Sequence, residues 1–287
     1  MAYESLAASY DRLTNDIPYE EILHFYDQIL ARYDAHPETA LDLACGTGSM
    51  AVLLAGRGLS VLGVDQSEEM LVEAYAKAMG SDNPPYFIHQ RMERLRLPAP
   101  VDLVVCCLDG LNYLTDPEQV CETFRRVYKA LTPNGLFIFD VNTPEKLRAL
   151  DGQIFLDEDD EVFCLWRASF DEPTLTITYG MDVFQREQPS KAGEKRSNRW
   201  ARTREEHVER AYPATDLCQW LTEAGFTNVR VYADRRLSPP EANEQRMFIS
   251  AQKASETGAS QAECLSQAIH YLPAKEFYPC PITFFAP

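Results

Sequence analysis

The sequence is poor in positive charge, and its cysteines are not arranged as metal ligands. Lysine and arginine number 27 against 44 aspartates and glutamates, which gives a formal charge of −17 at pH 7. Nonspecific binding to nucleic acid or to an anionic membrane requires excess positive charge, so this balance argues against both partners. None of the eight cysteines belongs to a CxxC pair or lies near histidines at metal-ligand spacing, so we expect no metal site.

Targeting and membrane-spanning signals are also missing from the sequence. The first residues lack the basic and apolar regions of a secretory signal, and no apolar run has the length of a transmembrane helix. We therefore expect a reduced, cytoplasmic protein without membrane contacts. The 287 residues, 45% of them apolar, suffice for one α/β domain with insertions or for two small domains.

Short apolar runs alternate with amphipathic segments over most of the chain. Strands are predicted at 39–44, 60–64, 86–89, 101–107, 136–141, 227–233 and 245–252. Helices are predicted at 19–33, 49–56, 67–79, 117–131 and 215–224. Strands that alternate with helices indicate an α/β fold with a doubly wound, mostly parallel sheet.

The pattern changes between about residues 151 and 212. Segments 163–170, 174–184 and 200–212 alternate apolar with polar residues, which predicts inserted antiparallel strands that cover one edge of the sheet. The acidic run 157–161 is predicted to be a solvated turn, and 188–198 a hairpin tip. We thus expect an α/β domain of residues 1–150 and 211–253, a substrate cover of residues 151–210, and a tail, 254–287, of unknown role with one short amphipathic helix.

A glycine-rich turn follows the first predicted strand in the segment LDLACGTG at 41–48. About two dozen residues after Asp42, a second apolar run ends in Asp65. Glycines let the backbone approach a ligand, and an acid at this strand end can accept hydrogen bonds from ribose hydroxyls, so the unit predicts a nucleoside site. Residues 46–51 also fit G-x-G-x-x-A, which leaves a dinucleotide site as an alternative. Against it, Asp42 stands inside the strand, and no set of basic residues for a pyrophosphate accompanies the turn.

Five segments in order resemble the motifs of class I S-adenosylmethionine-dependent methyltransferases. They are LDLACGTG at 41–48, VDQSEEML at 64–71, IHQRMERLRLP at 88–98, VDLVVCCLDGLNYL at 101–114 and LTPNGLFIFDVNT at 131–143. The start, YESLAASYD at 3–11, is similar to the Y-x-x-x-A-x-x-Y-D opening of the small-molecule branch, which includes glycine/sarcosine and deoxysugar N-methyltransferases. The resemblance covers roughly residues 3–253. It implies S-adenosylmethionine as cofactor and a seven-stranded sheet of order 3-2-1-4-5-7-6 whose last strand is antiparallel.

The resemblance also implies a role for individual residues toward the cofactor. Asp42 would contact its amino-acid end directly or through water, and Asp65 would bind the ribose. The other implied cofactor contacts are Ala44, Gly46 and Gly48 along the methionine part, Gln66, Met70 and Met92 beside adenine, Leu108 and Asp109 near the sulfonium, and Tyr10 above the cofactor as part of a lid. Arg91 departs from the family pattern, which often has an aspartate there to accept from the adenine amino group. Gln90 and Glu93 are the alternative acceptors.

Methyl transfer from a sulfonium is an in-line displacement that mainly requires alignment and the exclusion of water, so sequence does not dictate a fixed catalytic set. Four residues are candidates near the reacting atoms. They are Tyr10, Asn112 and Tyr113 after the fourth strand, and His207 on an inserted strand as a general base. For each, a packing role is the alternative.

The sequence therefore predicts a methyltransferase that acts on nitrogen or oxygen of a small-molecule acceptor, as a monomer or homodimer. RNA or protein methylation, a non-catalytic S-adenosylmethionine-binding or regulatory role and a nicotinamide oxidoreductase remain alternatives.

Overall fold

The computed structural model describes residues 7–14, 16–158, 160–187 and 198–255. Their helices are α1 (Ala7–Leu13), α2 (Tyr19–Arg32), α3 (Ser49–Gly56), α4 (Glu68–Ala78), α5 (Pro117–Ala130), α6 (Pro144–Ala149) and α7 (Ala214–Glu223). Their strands are β1 (Thr39–Leu43), β2 (Ser60–Asp65), β3 (Tyr86–His89), β4 (Val101–Cys106), β5 (Leu131–Asn142), β6 (Ile154–Glu158), β7 (Val162–Asp171), β8 (Thr176–Arg186), β9 (Trp200–Arg210), β10 (Phe226–Ala233) and β11 (Arg246–Lys253). None of the helices described is long and apolar enough to cross a membrane.

Seven strands form one mostly parallel sheet in the order β10-β11-β5-β4-β1-β2-β3. Strand β11 runs antiparallel to both of its neighbours, whereas β1 to β5 pair in parallel. When the strands of this sheet are counted on their own, the order is 3-2-1-4-5-7-6. The predicted fold class and strand order are therefore confirmed.

Helices cover both faces of this sheet, as a doubly wound fold requires. The apolar sides of α2, α3 and α4 pack on one face, and those of α5 and α7 pack on the other. Strand β4 shows why its sequence is an uninterrupted apolar run: Val104 and Cys106 belong to one apolar layer, and Leu103 and Val105 to the other. The strand ends next to the site are thus held by two buried layers.

Local signals set several element ends. The Ser67 hydroxyl accepts from the backbone N–H of Met70 at 3.2 Å and begins α4. Asp116 caps α5 by accepting from the Glu118 N–H at 3.0 Å, and Pro117 occupies the first helical turn. The helices predicted from 19, 49, 67, 117 and 215 agree with α2, α3, α4, α5 and α7 to within two residues.

A second, four-stranded antiparallel sheet lies between β5 and α7 in the chain, with the order β6-β7-β8-β9. We call it the cover sheet. Three of its strands were predicted. The fourth, β6, was missed, and it contains Asp157 and Glu158, so the acidic run begins as strand rather than turn. The predicted hairpin tip, apart from Asn198, and the tail beyond residue 255 lie outside the described residues.

Candidate cofactor and acceptor site

A cavity that is open to solvent at its mouth lies where β1, β2 and β4 end. Ten of the predicted site residues line it: Tyr10, Asp42, Ala44, Gly46, Asp65, Gln66, Met70, Met92, Leu108 and Tyr113. Among the described residues, the cavity wall does not include Gly48, Asp109, Asn112 or His207.

The glycine-rich turn after β1 uses its two glycines differently. Gly46 has φ +53°, and a Cβ built there would meet no described atom within 4 Å, so the backbone is open toward a ligand. Gly48 has φ +75°, and a Cβ there would lie 2.9 Å from the Phe87 ring and 3.0 Å from the Ala74 methyl group. Gly48 is close-packed against α4 and β3 and is not part of the cavity wall, so its expected contact with the methionine part of the cofactor stays a prediction.

Asp65 is fixed at the end of β2 by two backbone donors. Its Oδ2 accepts from the Gly46 N–H at 2.9 Å, and its Oδ1 accepts from the Ser67 N–H at 2.8 Å. Burial raises the pKa of this carboxyl above its usual range, and the backbone donors oppose that rise. The carboxylate therefore has one orientation, with its cavity side available to hydroxyl donors.

Asp42 lies on β1, the central strand between β2 and β4. It is only 1% exposed, and its Oδ2 has no hydrogen-bond partner among the described residues. Burial raises the pKa of Asp42 to about 8. A buried acceptor without a donor is costly unless a ligand supplies one, and an ammonium group at this end of the cavity would do so. This unpaired oxygen fits the amino-acid end of S-adenosylmethionine.

The chain leaves β4 through two consecutive left-handed residues, Leu108 with φ +57° and Asp109 with φ +54°. The Asp140 carboxylate accepts from both backbone N–H groups, at 2.8 Å from Leu108 and 3.1 Å from Asp109. Arg246 donates to Asp140 and, at 2.6 Å, to the Asp109 carboxylate. The Asp109 carboxylate is therefore engaged by Arg246 and is not part of the cavity wall, whereas Leu108 lines that wall. The expected place of Asp109 near the sulfonium stays a prediction.

Helix α1 is attached to the glycine-rich turn by a charged cluster. The Asp11 carboxylate accepts from the Thr47 hydroxyl at 2.6 Å and pairs with Lys77 at 2.7 Å. Lys77 also donates to Thr47 at 2.9 Å and to Ser49 at 2.6 Å. The neighbouring Tyr10 lines the cavity and packs on apolar residues of β7 and β8. Helix α1 thus lies between the cofactor turn and the cover sheet.

Tyr113 connects the cavity wall to a buried histidine. The Tyr113 hydroxyl lies 3.2 Å from His207 Nδ1, and His207 Nε2 lies 3.0 Å from Glu205 Oε2. His207 is 1% exposed and Glu205 is 9% exposed. The sequence predicted that His207 lies near the reacting atoms. In the structure His207 is not part of the cavity wall and is linked to the cavity through Tyr113. Glu205 was not predicted as a site residue. The signal that could have found it is its two-residue spacing from His207, which puts both side chains on one face of a strand.

Asn112 has a structural position instead of the predicted catalytic one. It is fully buried, and its amide donates to the backbone oxygens of Asn142 at 3.2 Å and Arg210 at 2.9 Å. Its Oδ1 accepts from the Asn142 N–H at 3.0 Å. Both amide donors are used by the backbone, so this residue joins the end of β9 to the end of β5 and does not face the reacting atoms.

Two of the residues considered for adenine recognition line the cavity at its other end. The Gln90 amide is engaged with the backbone of Arg96, donating to its oxygen at 3.2 Å and accepting from its N–H at 3.0 Å. Glu93 pairs with Arg91 at the cavity wall. Both side chains thus have a partner within the protein, and either Gln90 or Glu93 as the acceptor for the adenine amino group stays a prediction.

Comparison with known proteins gives the same family in sequence and in structure. A methyltransferase-domain model matches residues 40–135. A protein of Geobacillus sp. (strain WCH70) that is assigned to the methyltransferases is 34% identical over 255 residues, which cover 88% of this chain and 100% of that protein. An S-adenosylmethionine-dependent methyltransferase from Clostridium acetobutylicum ATCC 824 has a TM-score of 0.76 and 28% identity, covering 89% of this chain and 100% of that chain. The sugar N-methyltransferase KedS8 from Streptoalloteichus sp ATCC 53650 shares the fold, with a TM-score of 0.69, 17% identity, and coverage of 86% and 93%.

Proposed function

The chain belongs to the S-adenosylmethionine-dependent methyltransferases, and we propose that it methylates a nitrogen or oxygen atom of a small molecule. The observation that carries the proposal is the cavity itself. Its wall contains the acids Asp42 and Asp65 and the open turn at Gly46, and it also contains Tyr10 and Tyr113. The two acids and the turn would hold the cofactor, and the part near the two tyrosines, the acceptor side, would hold the acceptor.

The chain's own residues would do three things for the cofactor. Asp65 would accept from the ribose hydroxyls, Asp42 would pair with the ammonium group, and Gly46 would let the backbone come close to the ligand. When bound, S-adenosylmethionine supplies an electrophilic methyl group on its sulfonium. Catalysis then depends on alignment and on the exclusion of water, which α1 and the cover sheet would provide.

Two features support a small acceptor over RNA or protein. The acceptor side lies under the cover sheet, where Tyr10 packs on an apolar cluster of Val162, Cys164, Met181 and Val183. The formal charge of −17 opposes a polyanionic substrate. The sugar N-methyltransferase KedS8, which shares the fold, is compatible with this substrate class.

Parallel calorimetric titrations with S-adenosylmethionine, S-adenosylhomocysteine and NAD(H) test the cofactor side. We expect micromolar binding of the first two and none of NAD(H). Binding of NAD(H) alone would contradict the proposal. The protein is then incubated with methyl-labelled cofactor and, in separate reactions, with a panel of small amines and hydroxyl compounds, with RNA, or with unmodified protein. Label transfer to RNA or protein and not to the panel would overturn the small-molecule acceptor.

A further inference from the structure

Strand β9 presents a row of ionisable side chains to the interior. Glu205, His207 and Glu209 alternate with exposed residues along the strand, and all three are buried. In a strand, residues two apart lie on the same face, so the row follows the inner face of the cover sheet. The ring of Trp166 on β7 lies 6.5 Å from the His207 ring. Burial of three such groups together is costly unless each has a partner or a function.

The position of the His207 proton follows from its two hydrogen bonds when Glu205 is taken as ionised and His207 as neutral. An ionised Glu205 can only accept, so the His207 Nε2 that faces it must carry the proton. The neutral imidazole then has Nδ1 as its acceptor, and the Tyr113 hydroxyl at 3.2 Å must be the donor. A phenol oxygen that donates can still accept, and Tyr113 lies on the cavity wall. Both of these hydrogen bonds therefore point from the cavity toward Glu205.

From this direction we infer that Tyr113, His207 and Glu205 form a proton path that serves an acceptor carrying a removable proton, namely an ammonium or a hydroxyl group. The inference rests on the proposed function and deepens it. Tyr113 is the contacting group. His207 and Glu205 act through it as positioning and charge-stabilising residues.

The proton and electron changes balance within this arrangement. The acceptor's proton would pass to the Tyr113 oxygen while the proton of Tyr113 passes to His207 Nδ1, which frees the lone pair of an ammonium nitrogen or makes a hydroxyl oxygen a stronger nucleophile. That lone pair would form the bond to the methyl carbon, and the electrons of the broken carbon–sulfur bond would remain on sulfur as a neutral thioether. The imidazolium that results lies against the Glu205 carboxylate, which offsets its charge. Ammonium and hydroxyl groups hold their proton at neutral pH, so these acceptors need such a path.

The tautomer of His207 tests the path without any acceptor. The protein is labelled with ¹⁵N-histidine and saturated with S-adenosylhomocysteine, and the His207 signals are identified by their loss in His207→Gln. We expect a protonated Nε2 and an unprotonated Nδ1 at pH 7.5, with both signals shifted in Glu205→Gln. The matched control is Glu206→Gln, an exposed neighbour on the same strand, which should leave the signals in place. A proton on Nδ1 in the wild-type protein, or on both nitrogens, would overturn the path.

Comparing the effects of substitutions on kcat and on cofactor affinity tests whether the proton path is used in turnover. With an acceptor from the screen, Tyr113→Phe and Glu205→Gln should each lower kcat by about 10²-fold, the usual scale of general acid–base catalysis. The dissociation constant for S-adenosylmethionine should stay within about twofold of wild type, and Glu206→Gln should behave like wild type. Wild-type kcat in both variants would refute the path and leave the proposed function standing. If the wild-type protein did not bind S-adenosylmethionine at all, the proposed function would be refuted instead.

Discussion

Cofactor binding should remove a proton from Asp42. The carboxyl is buried, its Oδ2 is unpaired among the described residues, and its pKa is raised to about 8. At pH 7 a group with that pKa is protonated in roughly nine-tenths of the molecules. An ammonium group placed beside it would favour the carboxylate and would bring its pKa far below 7. Each binding event should therefore release about 0.9 protons at pH 7.

The need to remove a proton from Asp42 also lowers the affinity for the cofactor at pH 7. Binding at pH 7 should be weaker than binding to the fully ionised site by roughly tenfold, which corresponds to about 1 kcal/mol. The α-amino group of the ligand itself titrates near pH 8, so the test belongs between pH 6 and 7.5, where that group stays charged.

Calorimetry in several buffers measures the released protons. The observed enthalpy at pH 7 is plotted against the ionisation enthalpy of phosphate, imidazole and Tris buffers, and the slope gives the number of protons. Asp42→Asn keeps the shape and removes the titration, so its slope should fall to near zero and its affinity should be lower. Asp34→Asn, at an exposed position, is the matched control and should retain the wild-type slope. A wild-type slope near zero, or one unchanged in Asp42→Asn, would refute the assignment of Asp42 to the ammonium group.

Four further outcomes are expected. Because burial raises the folded pKa of Asp42 to about 8, above its unfolded value, this group should lower the unfolding free energy of the ligand-free protein by about 3 kcal/mol between pH 6 and 9. In denaturant titrations Asp42→Asn should remove this part of the fall, whereas the part due to Glu209, whose pKa burial also raises, should remain. Asp65→Ala should weaken S-adenosylmethionine binding by about 1–3 kcal/mol in calorimetry, and unchanged affinity would remove it from the site. Gly48→Ala should lower the melting temperature far more than Gly46→Ala, whereas Gly46→Ala should mainly weaken binding; equal thermal shifts would contradict the assigned roles. His207→Ala should retain cofactor binding and lose turnover, and wild-type turnover would show that its role is packing alone.

The sheet could be predicted because its signals are local. Strand β3 was predicted with its observed ends, and Ser67 and the Asp116–Pro117 pair mark the beginnings of α4 and α5 through contacts within one helical turn. Strand β6 was missed because it is short and exposed along its whole length, so no buried face gives it a period. Helix α6 was missed although Thr143 and Pro144 form a recognisable start, since the helix has only six residues.

The site was harder to predict than the fold, because its decisive contacts join distant parts of the chain. Asp109 follows a strand end as cofactor residues do, yet its carboxylate is engaged by Arg246, 137 residues later. Asn112 was predicted to be catalytic because it also follows the end of β4. In the structure its side-chain amide instead donates to the backbone oxygen of Arg210. No local pattern contains either partner.

The buried Asn112 amide has a consequence for how the cover sheet could vary among related proteins. It binds Asn142, the last residue of β5, and Arg210, the last residue of β9, so the segment that contains α6 and the cover sheet is held at both ends by one side chain. The entropy of closing a loop grows only with the logarithm of its length, so an insert of another size fixed at the same two ends costs little more. The segment between these ends is therefore an exchangeable module. If the cover sheet sets the acceptor as proposed, a graft that begins after Asn142 and ends at Arg210 would transfer acceptor preference, provided that it keeps the apolar contact with Tyr10 and the hydrogen bond to Tyr113.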